Sequence, residues 1–280
     1  MYGHGLPGIV VIVLALTTVS GPAWAAEARE LVLGSAGSDS RLEAVAGPCK
    51  AGQRTLRVQQ GDAQRTATLS RPWNTLPCDL AKAKEPGWNW TGGDEEASAS
   101  VKLQTVDLAG GPTALLLTIE AGFEHVKRQH ALFIPAPEGV TRAWEGDEGA
   151  GPTHSFVEPH EGGVLFTETF DGAQVETADR WSLSELRWDA ARKKVVARPA
   201  RAWGVILRTE ESLPSALASV EKLKEECKDT ELLAVATEDF PRLTKDRWVV
   251  ARFFPSLPRA EAARKRLLAC ARDAYVKRVL

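Results

Sequence analysis

What is missing narrows the chemistry first. The 280 residues hold no G-x-S-x-G that would lift a serine onto a nucleophile elbow and no glycine-rich loop running into a lysine to cradle phosphates. Nor does a dinucleotide fingerprint lie between a strand and a helix. Histidine is scarce, five in all, and scattered. His125 and His130 sit five apart in a strand-like stretch and so point to opposite faces. His154 and His160 lie beside Glu158 and Glu161, but "HEGGV" lacks the second His one helical turn on that a zinc protease requires. A hydrolase would need two convergent carboxylates, for which Glu158, Glu161 and Asp171 offer only closeness in sequence. "TVDLAGGPTALLLTIEAG" retains a single acidic turn residue, Asp107, where a hard-cation loop needs several oxygen ligands, so a plain strand-turn-strand is expected. The expectation is a non-enzymatic protein with no metal and no cofactor. Past residue 26 no run is long and apolar enough to span a bilayer.

The ends and the cysteines point to export. Ile9 to Leu16 is an apolar run too short for a stable anchor, and Ala23-Trp24-Ala25 follows as a small-x-small cleavage signal. Residues 1–26 therefore read as a secretory signal peptide cut after Ala25, with a retained anchor as the alternative. Because no Cys follows the cut, a lipid-anchored form is disfavoured, and the mature chain is expected in a periplasm or outside the cell. Four cysteines in such a chain imply disulfides. Cys49 and Cys78, each after a proline, would staple a loop-rich stretch. Residues 201–280 carry 16 Lys and Arg against 12 Asp and Glu, while the first two hundred carry 19 against 25. That modest basic bias suits an anionic partner such as cell-wall polymer, or describes ordinary solvated helix faces.

Residues 27–200 read as an all-β domain. Strand-like runs recur, among them "ELVLG", "TLRVQQ", "RTATLS", "VKLQTVDLA", "TALLLTIEAG", "HALFIPA", "VTRAWEG", "GVLFTETF", "LSELRW" and "KKVVARP", between separators rich in Gly, Pro and Asp. A sandwich, a barrel and a propeller-like meander all fit. Trp73, Trp88 and Trp90 cluster around Cys78. They would cover the disulfide, with stacking on sugar rings as the alternative.

The last eighty residues repeat themselves. "AWGVILRTEESLPSALASVEKLKEECKDTELLAVA" and "RWVVARFFPSLPRAEAARKRLLACARDAYVKRV" share an order of parts, with Trp203, Ser212-Leu213-Pro214 and Cys227 matching Trp248, Ser256-Leu257-Pro258 and Cys270. Each copy parses as strand, helix, strand. Ser212 and Ser256 stand at N-cap positions with a proline in the first turn. Leu213, Ala216, Val220, Leu223 and Cys227, and Leu257, Ala260, Ala263, Leu267 and Cys270 or Ala271, have the three-and-four spacing of buried helix faces. The sum is a ferredoxin-like βαββαβ domain over 201–280, giving an α+β chain overall. Matching helix ends in such a pseudo-twofold unit lie about 20 Å apart, whereas bridged Cα atoms approach within about 7 Å. Cysteine parity favours a Cys227–Cys270 bridge, and helix geometry weighs more heavily against it.

On these residues, the aromatic-led strand, Pro-Ser, "RAEAARKRL" and "DAYVKRV", the segment resembles the SPOR (sporulation-related repeat) family over about 202–280. The resemblance implies an exported module binding peptidoglycan, with preference for glycan strands stripped of stem peptides. Family members carry V-Q-x-G-S-F on the first strand; here Ile206 and Ala251 occupy the Gln positions and Phe253-Phe254 stands where Gly-Ser would. If the helices cover Val205, Leu207, Val250 and Phe254, then Ile206, Arg208, Val249, Ala251 and Phe253 face away from them. With Arg247, Lys277 and Arg278 nearby, the expected glycan site is an apolar strip rimmed by positive charge. Another envelope protein is the alternative partner, through a C-terminal unit that packs on the β-domain as a structural lid. Nucleic acid and, after cleavage, membrane are not expected partners.

Overall fold

In a computed structural model of the chain, the described residues are 30–36, 42–61, 65–70, 73–78, 88–91, 96–122, 127–147, 153–172 and 177–280. The expected signal peptide and His125 lie outside them, as do the side chains of Trp88 and Trp90. The chain is predominantly β-sheet with two α-helices among the described residues. No helix among them is long and apolar enough to cross a membrane. Two compact units emerge.

The first unit comprises Met1–Asp147, Glu161–Gly163 and Trp188–Val195. Its strands β1 (Leu31–Ala36), β2 (Leu42–Ala46), β3 (Gln53–Gln60) and β4 (Thr75–Pro77) form one sheet in chain order. Strands β5 (Trp88–Thr91), β6 (Glu96–Asp107), β7 (Thr113–Gly122), β8 (Lys127–Ala136) and β9 (Gly139–Asp147) form a second, also in chain order and antiparallel. Alternation decides which side chains go inward. Leu42, Ala44, Leu56 and Val58 from one sheet and Leu115, Leu117, Ala131 and Phe133 from the other share a single core, against which Trp73 also packs. Arg54 is fully buried beside Leu56. Its guanidinium donates to the carbonyls of Gly47 at 2.8 Å and Cys78 at 3.4 Å, so the charge is satisfied by backbone oxygen.

Two sequence expectations shift here. "RTATLS" forms only isolated bridges, Val58 with Ala67 and Arg65 with Gly139. Side chains of β9 hold the segment in place of a ladder: Arg142 donates to the Thr68 carbonyl at 3.0 Å, and Glu145 accepts from the Ser70 amide at 2.8 Å. Conversely "LEAVA" and "THSFVEPH" form strands that the sequence reading did not assign.

The second unit comprises Glu148–His160, Val164–Arg187 and Val196–Leu280. A sheet in the order β10 (Thr153–His160), β11 (Gly163–Phe170), β12 (Arg180–Asp189), β13 (Lys194–Pro199) lies largely within it. The last eighty residues then run β14 (Trp203–Glu210), α1 (Leu213–Cys227), β15 (Leu233–Ala236), β16 (Trp248–Phe254), α2 (Leu257–Leu267), β17 (Tyr275–Arg278). Their strand order is β15-β16-β14-β17 with antiparallel neighbours throughout. Ser212 caps α1 by accepting from the Ser215 amide at 3.4 Å, and Lys228 ends the helix in a left-handed conformation at φ 53°. Ser256 holds the same position on α2 without a side-chain bond. The helices bury Ala216, Val220 and Leu223, and Ala260, Ala263 and Leu267. Leu257, expected in this row, is instead exposed at the first position of α2, before the helix reaches the sheet.

Both cysteine pairs are bridged, Cys49–Cys78 with Cα atoms 5.4 Å apart and Cys227–Cys270 at 5.3 Å. The second corrects the geometric expectation. Cys227 is the last residue of α1, but α2 stops at Leu267 and Cys270 lies three residues further on. The chain turns there through Cys270 N to Leu267 O at 3.1 Å, so no helix axis dictates where Cys270 sits. Closing a loop of this length stabilises the fold by about 4 kcal/mol in the chain-entropy estimate. The double variant Cys227→Ser/Cys270→Ser should lower the urea midpoint by the equivalent of about 2–4 kcal/mol. An unchanged midpoint would show the bridge to be dispensable.

Candidate functional site

The four-stranded layer of the second unit has two apolar faces. Val205, Leu207, Val250 and Phe254 lie against α1 and α2, as the repeat implies. On the opposite face the expectation of an open strip does not hold. Ile206 and Ala251 have no exposed surface, Val249 keeps 2% and Phe253 9%. Leu165 of β11, Trp181 and Leu183 of β12, and Phe240 and Leu243 from the loop before β16 cover them. The Phe253 ring stacks on Trp181 at a centroid distance of 4.9 Å and on Phe240 at 4.8 Å. A Cβ on Gly204 would come within 3.2 Å of Val279 and 3.3 Å of Phe253, so glycine there permits the close fit. The physical reason is legible in the strands themselves. "GVIL" and "VVA" are unbroken apolar runs, and such runs mark strands buried on both sides, where alternation would mark one wet face.

A buried carboxylate fixes how the cover meets the layer. Asp179 precedes β12 and is 3% exposed. Its two oxygens accept from the Gly172 amide at 2.8 Å and the Ala234 amide at 2.7 Å, while its own amide donates to the Ala234 carbonyl at 2.9 Å. β15 is an edge strand of the layer, and Asp179 satisfies the Ala234 amide and carbonyl on that edge. Burial is the main influence on the carboxyl and raises its pKa above the ordinary 3.8; Asp171 adds to the rise, and the Ala234 and Gly172 amides and Lys224 oppose it.

The expected basic rim divides into two groups. Arg208 is exposed on β14, and Arg247 is exposed just before β16, with its backbone held by Thr237 at 3.0 Å and its guanidinium donating to the Asp246 carbonyl at 3.0 Å. Both lie toward the Glu210 end of β14, since Glu210 pairs with Trp248. Lys277 and Arg278 lie at the other end, opposite Gly204 and Trp203, and are half-buried. Arg201 and Arg242 join them there. Partial burial, then the charges of Arg242 and Arg201, hold the Arg278 guanidinium below its usual pKa.

The remaining sequence candidates serve local structure. His130 is buried and hydrogen-bonds Thr118 at 3.0 Å; Asp107 accepts from Thr113 at 2.9 Å; Glu158 pairs with Arg259 at 2.9 Å. His160 stands 4.0 Å from Glu185, and His154 and Glu161 are exposed. Among the described residues no three His, Cys, Asp or Glu side chains gather as metal ligands would. Neither a family model, nor a curated protein, nor a solved structure matches the chain. Asp179, Arg201, Arg242 and Phe240 escaped the sequence reading. An isolated Asp before a strand carries no pattern, and the two arginines meet only through strand pairing and a turn.

Placing the SPOR-type residue on the covered face tests its burial. Ile206→Gln should cost about 3 kcal/mol in urea unfolding, because an amide would be buried without a partner; a change within about 0.5 kcal/mol would indicate an open face. Asp179 gives a pH signature. Its folded pKa is raised, so its contribution to stability is greatest below 3.8 and falls as pH climbs through the raised folded value. The stability difference between the wild type and Asp179→Asn, read by urea unfolding from pH 4 to 8, should therefore shrink with rising pH, and a difference that grew would contradict the assignment.

Proposed function

We propose that the chain is an exported, disulfide-stapled interaction factor whose C-terminal ferredoxin-like layer is a structural element and not a glycan-gripping surface. The observation that carries this reading is the cover over Ile206, Ala251 and Phe253 by side chains of the same unit. A SPOR-type module would hold a glycan strand on that face. Here a sugar would first have to displace Leu165, Trp181, Leu183 and Phe240, and each buried side chain of this size is worth about 1.5–3 kcal/mol. Two disulfides suit an oxidising compartment, in keeping with the leader read at residues 1–26. Of the four-stranded layer itself, the rim and the sheet edges remain to contact a partner.

The full mature chain, incubated with isolated sacculi before and after amidase removal of stem peptides, should be no more enriched on the trimmed material. A photo-crosslinking residue at exposed Arg208 should give adducts in the cell envelope that withstand muramidase and are lost to protease. Enrichment on trimmed sacculi, or adducts that collapse with muramidase, would restore the glycan reading.

A further inference from the structure

We propose that the outer edge of β17 is a docking strip for an acidic, extended peptide segment of a partner protein, read by Arg201, Arg242, Lys277 and Arg278. The inference rests on the interaction reading above and names the chemistry of the partner. β17 ends the strand order of its sheet: β14 pairs along one side, and among the described residues no strand pairs along the other. The four cations converge on this edge for reasons of register. Trp203 is opposite Arg278, and the Val279 amide donates to the Ala202 carbonyl at 2.9 Å, so Arg201 stands one diagonal step from Arg278, on the same side of the strand pair. Gly204 faces both Lys277 and Phe253, and Phe253 stacks on Phe240. Arg242 projects from the turn closed by the Leu243 amide on the Phe240 carbonyl at 3.0 Å, which brings it to the same end of the sheet.

Among the described residues Arg208 and Arg247 at the far end of β14 also have no acidic side-chain partner; the gathering of four cations along one strand edge sets this place apart. Elsewhere in the second unit Arg252 pairs with Asp229 and Glu231, Arg259 with Glu158, Arg264 with Glu261, and Lys222 with Glu226. Among the described residues no Asp or Glu side chain pairs with Arg201, Arg242, Lys277 or Arg278, and Arg278 Nε donates to the Leu280 oxygen at 2.8 Å. Three guanidinium groups and an ammonium left together repel one another, and an anion placed among them relieves that repulsion. Guanidinium forks match carboxylates with two parallel hydrogen bonds. In an extended peptide alternate residues share a side and repeat about every 7 Å, the spacing of the Arg201–Arg278 diagonal, while Lys277, opposite Gly204, stands on the other face of the strand. Such a peptide also supplies backbone groups to an edge strand, which a non-peptide polyanion does not. Tyr275, 44% exposed at the start of β17, offers the peptide an apolar contact.

The test uses the full mature chain and a fluorescent ten-residue peptide alternating Glu and Val, read by anisotropy at low and physiological salt. We expect saturable binding that weakens with salt, at least tenfold weaker binding to Arg201→Glu/Arg242→Glu, and unchanged binding to Arg192→Glu in the first unit. Both substituted arginines are exposed, and an unaltered urea midpoint would show that the variant folds. Equal binding to the charge-reversed chain, or no binding at all, would overturn the strip. So would full displacement by inorganic tripolyphosphate at matched charge, which would reassign it to phosphate anions. Loss of the strip while muramidase-resistant adducts at Arg208 persist would sink this inference alone; glycan adducts there would sink the broader reading.

Discussion

The sheet β15-β16-β14-β17 is apolar on both faces, and its own two helices can shield only one. That constraint organises the second unit. Ile206, Val249, Ala251 and Phe253 would leave a broad apolar patch in water, and patches of that kind are rarely left open. β11, β12 and the Phe240 loop close it. Removing the apolar surface from water supplies the free energy, and it does so without direction. Direction comes from Asp179, whose hydrogen bonds to the Gly172 and Ala234 backbones allow one alignment of cover and layer. A carboxylate whose burial raises its pKa is a cost the fold bears, which is consistent with a residue kept for register more than for net stability.

Much of this arrangement was legible in sequence, and what was not follows from the kind of signal required. The repeat exposed the strand-helix-strand order, because Ser-Leu-Pro before an alanine-rich amphipathic stretch specifies a helix start by local chemistry alone. The face that packs on the helices was legible too, since α1 and α2 advertise a matching apolar stripe. The cover on the other face was not, because it comes from β11 and β12, distant in sequence and ordinary in pattern. Even so, one clue stood in plain view: Val205-Ile206-Leu207 does not alternate. Reading its odd and even members as belonging to a wet and a dry face gave way to what an unbroken run means, burial on both sides.

The two disulfides show the same division. Cys49 and Cys78 flank a segment whose closure also depends on Arg54, and their pairing was legible from their placement in one loop-rich stretch. Cys227 and Cys270 match each other in the repeat, and that symmetry misled, because it suggests equal positions on equal helices. The second helix is shorter, eleven residues against fifteen, so the second cysteine lies in a turn. "RTATLS" fails as a strand for a comparable reason. Beyond the Val58–Ala67 bridge, side chains of β9 meet its backbone, and no propensity or alternation encodes which chemistry will satisfy a carbonyl.

A covered face does not leave the layer without a surface; it moves the surface to the rim. In a sheet packed on both sides the groups still facing solvent are the strand ends and the two edges. One edge, β15, meets Asp179, which takes up its Ala234 amide and carbonyl. The other, β17, is met by no such residue among those described, and it gathers positive charge from three separate places in the chain. Whereas Arg252, Arg259 and Arg264 each pair with a carboxylate, Arg201, Arg242 and Lys277 have no acidic side chain beside them among the described residues. Their concentration on the one edge left unpaired is what an incoming strand of opposite charge requires, since the backbone edge would provide affinity and the guanidinium groups would choose among strands.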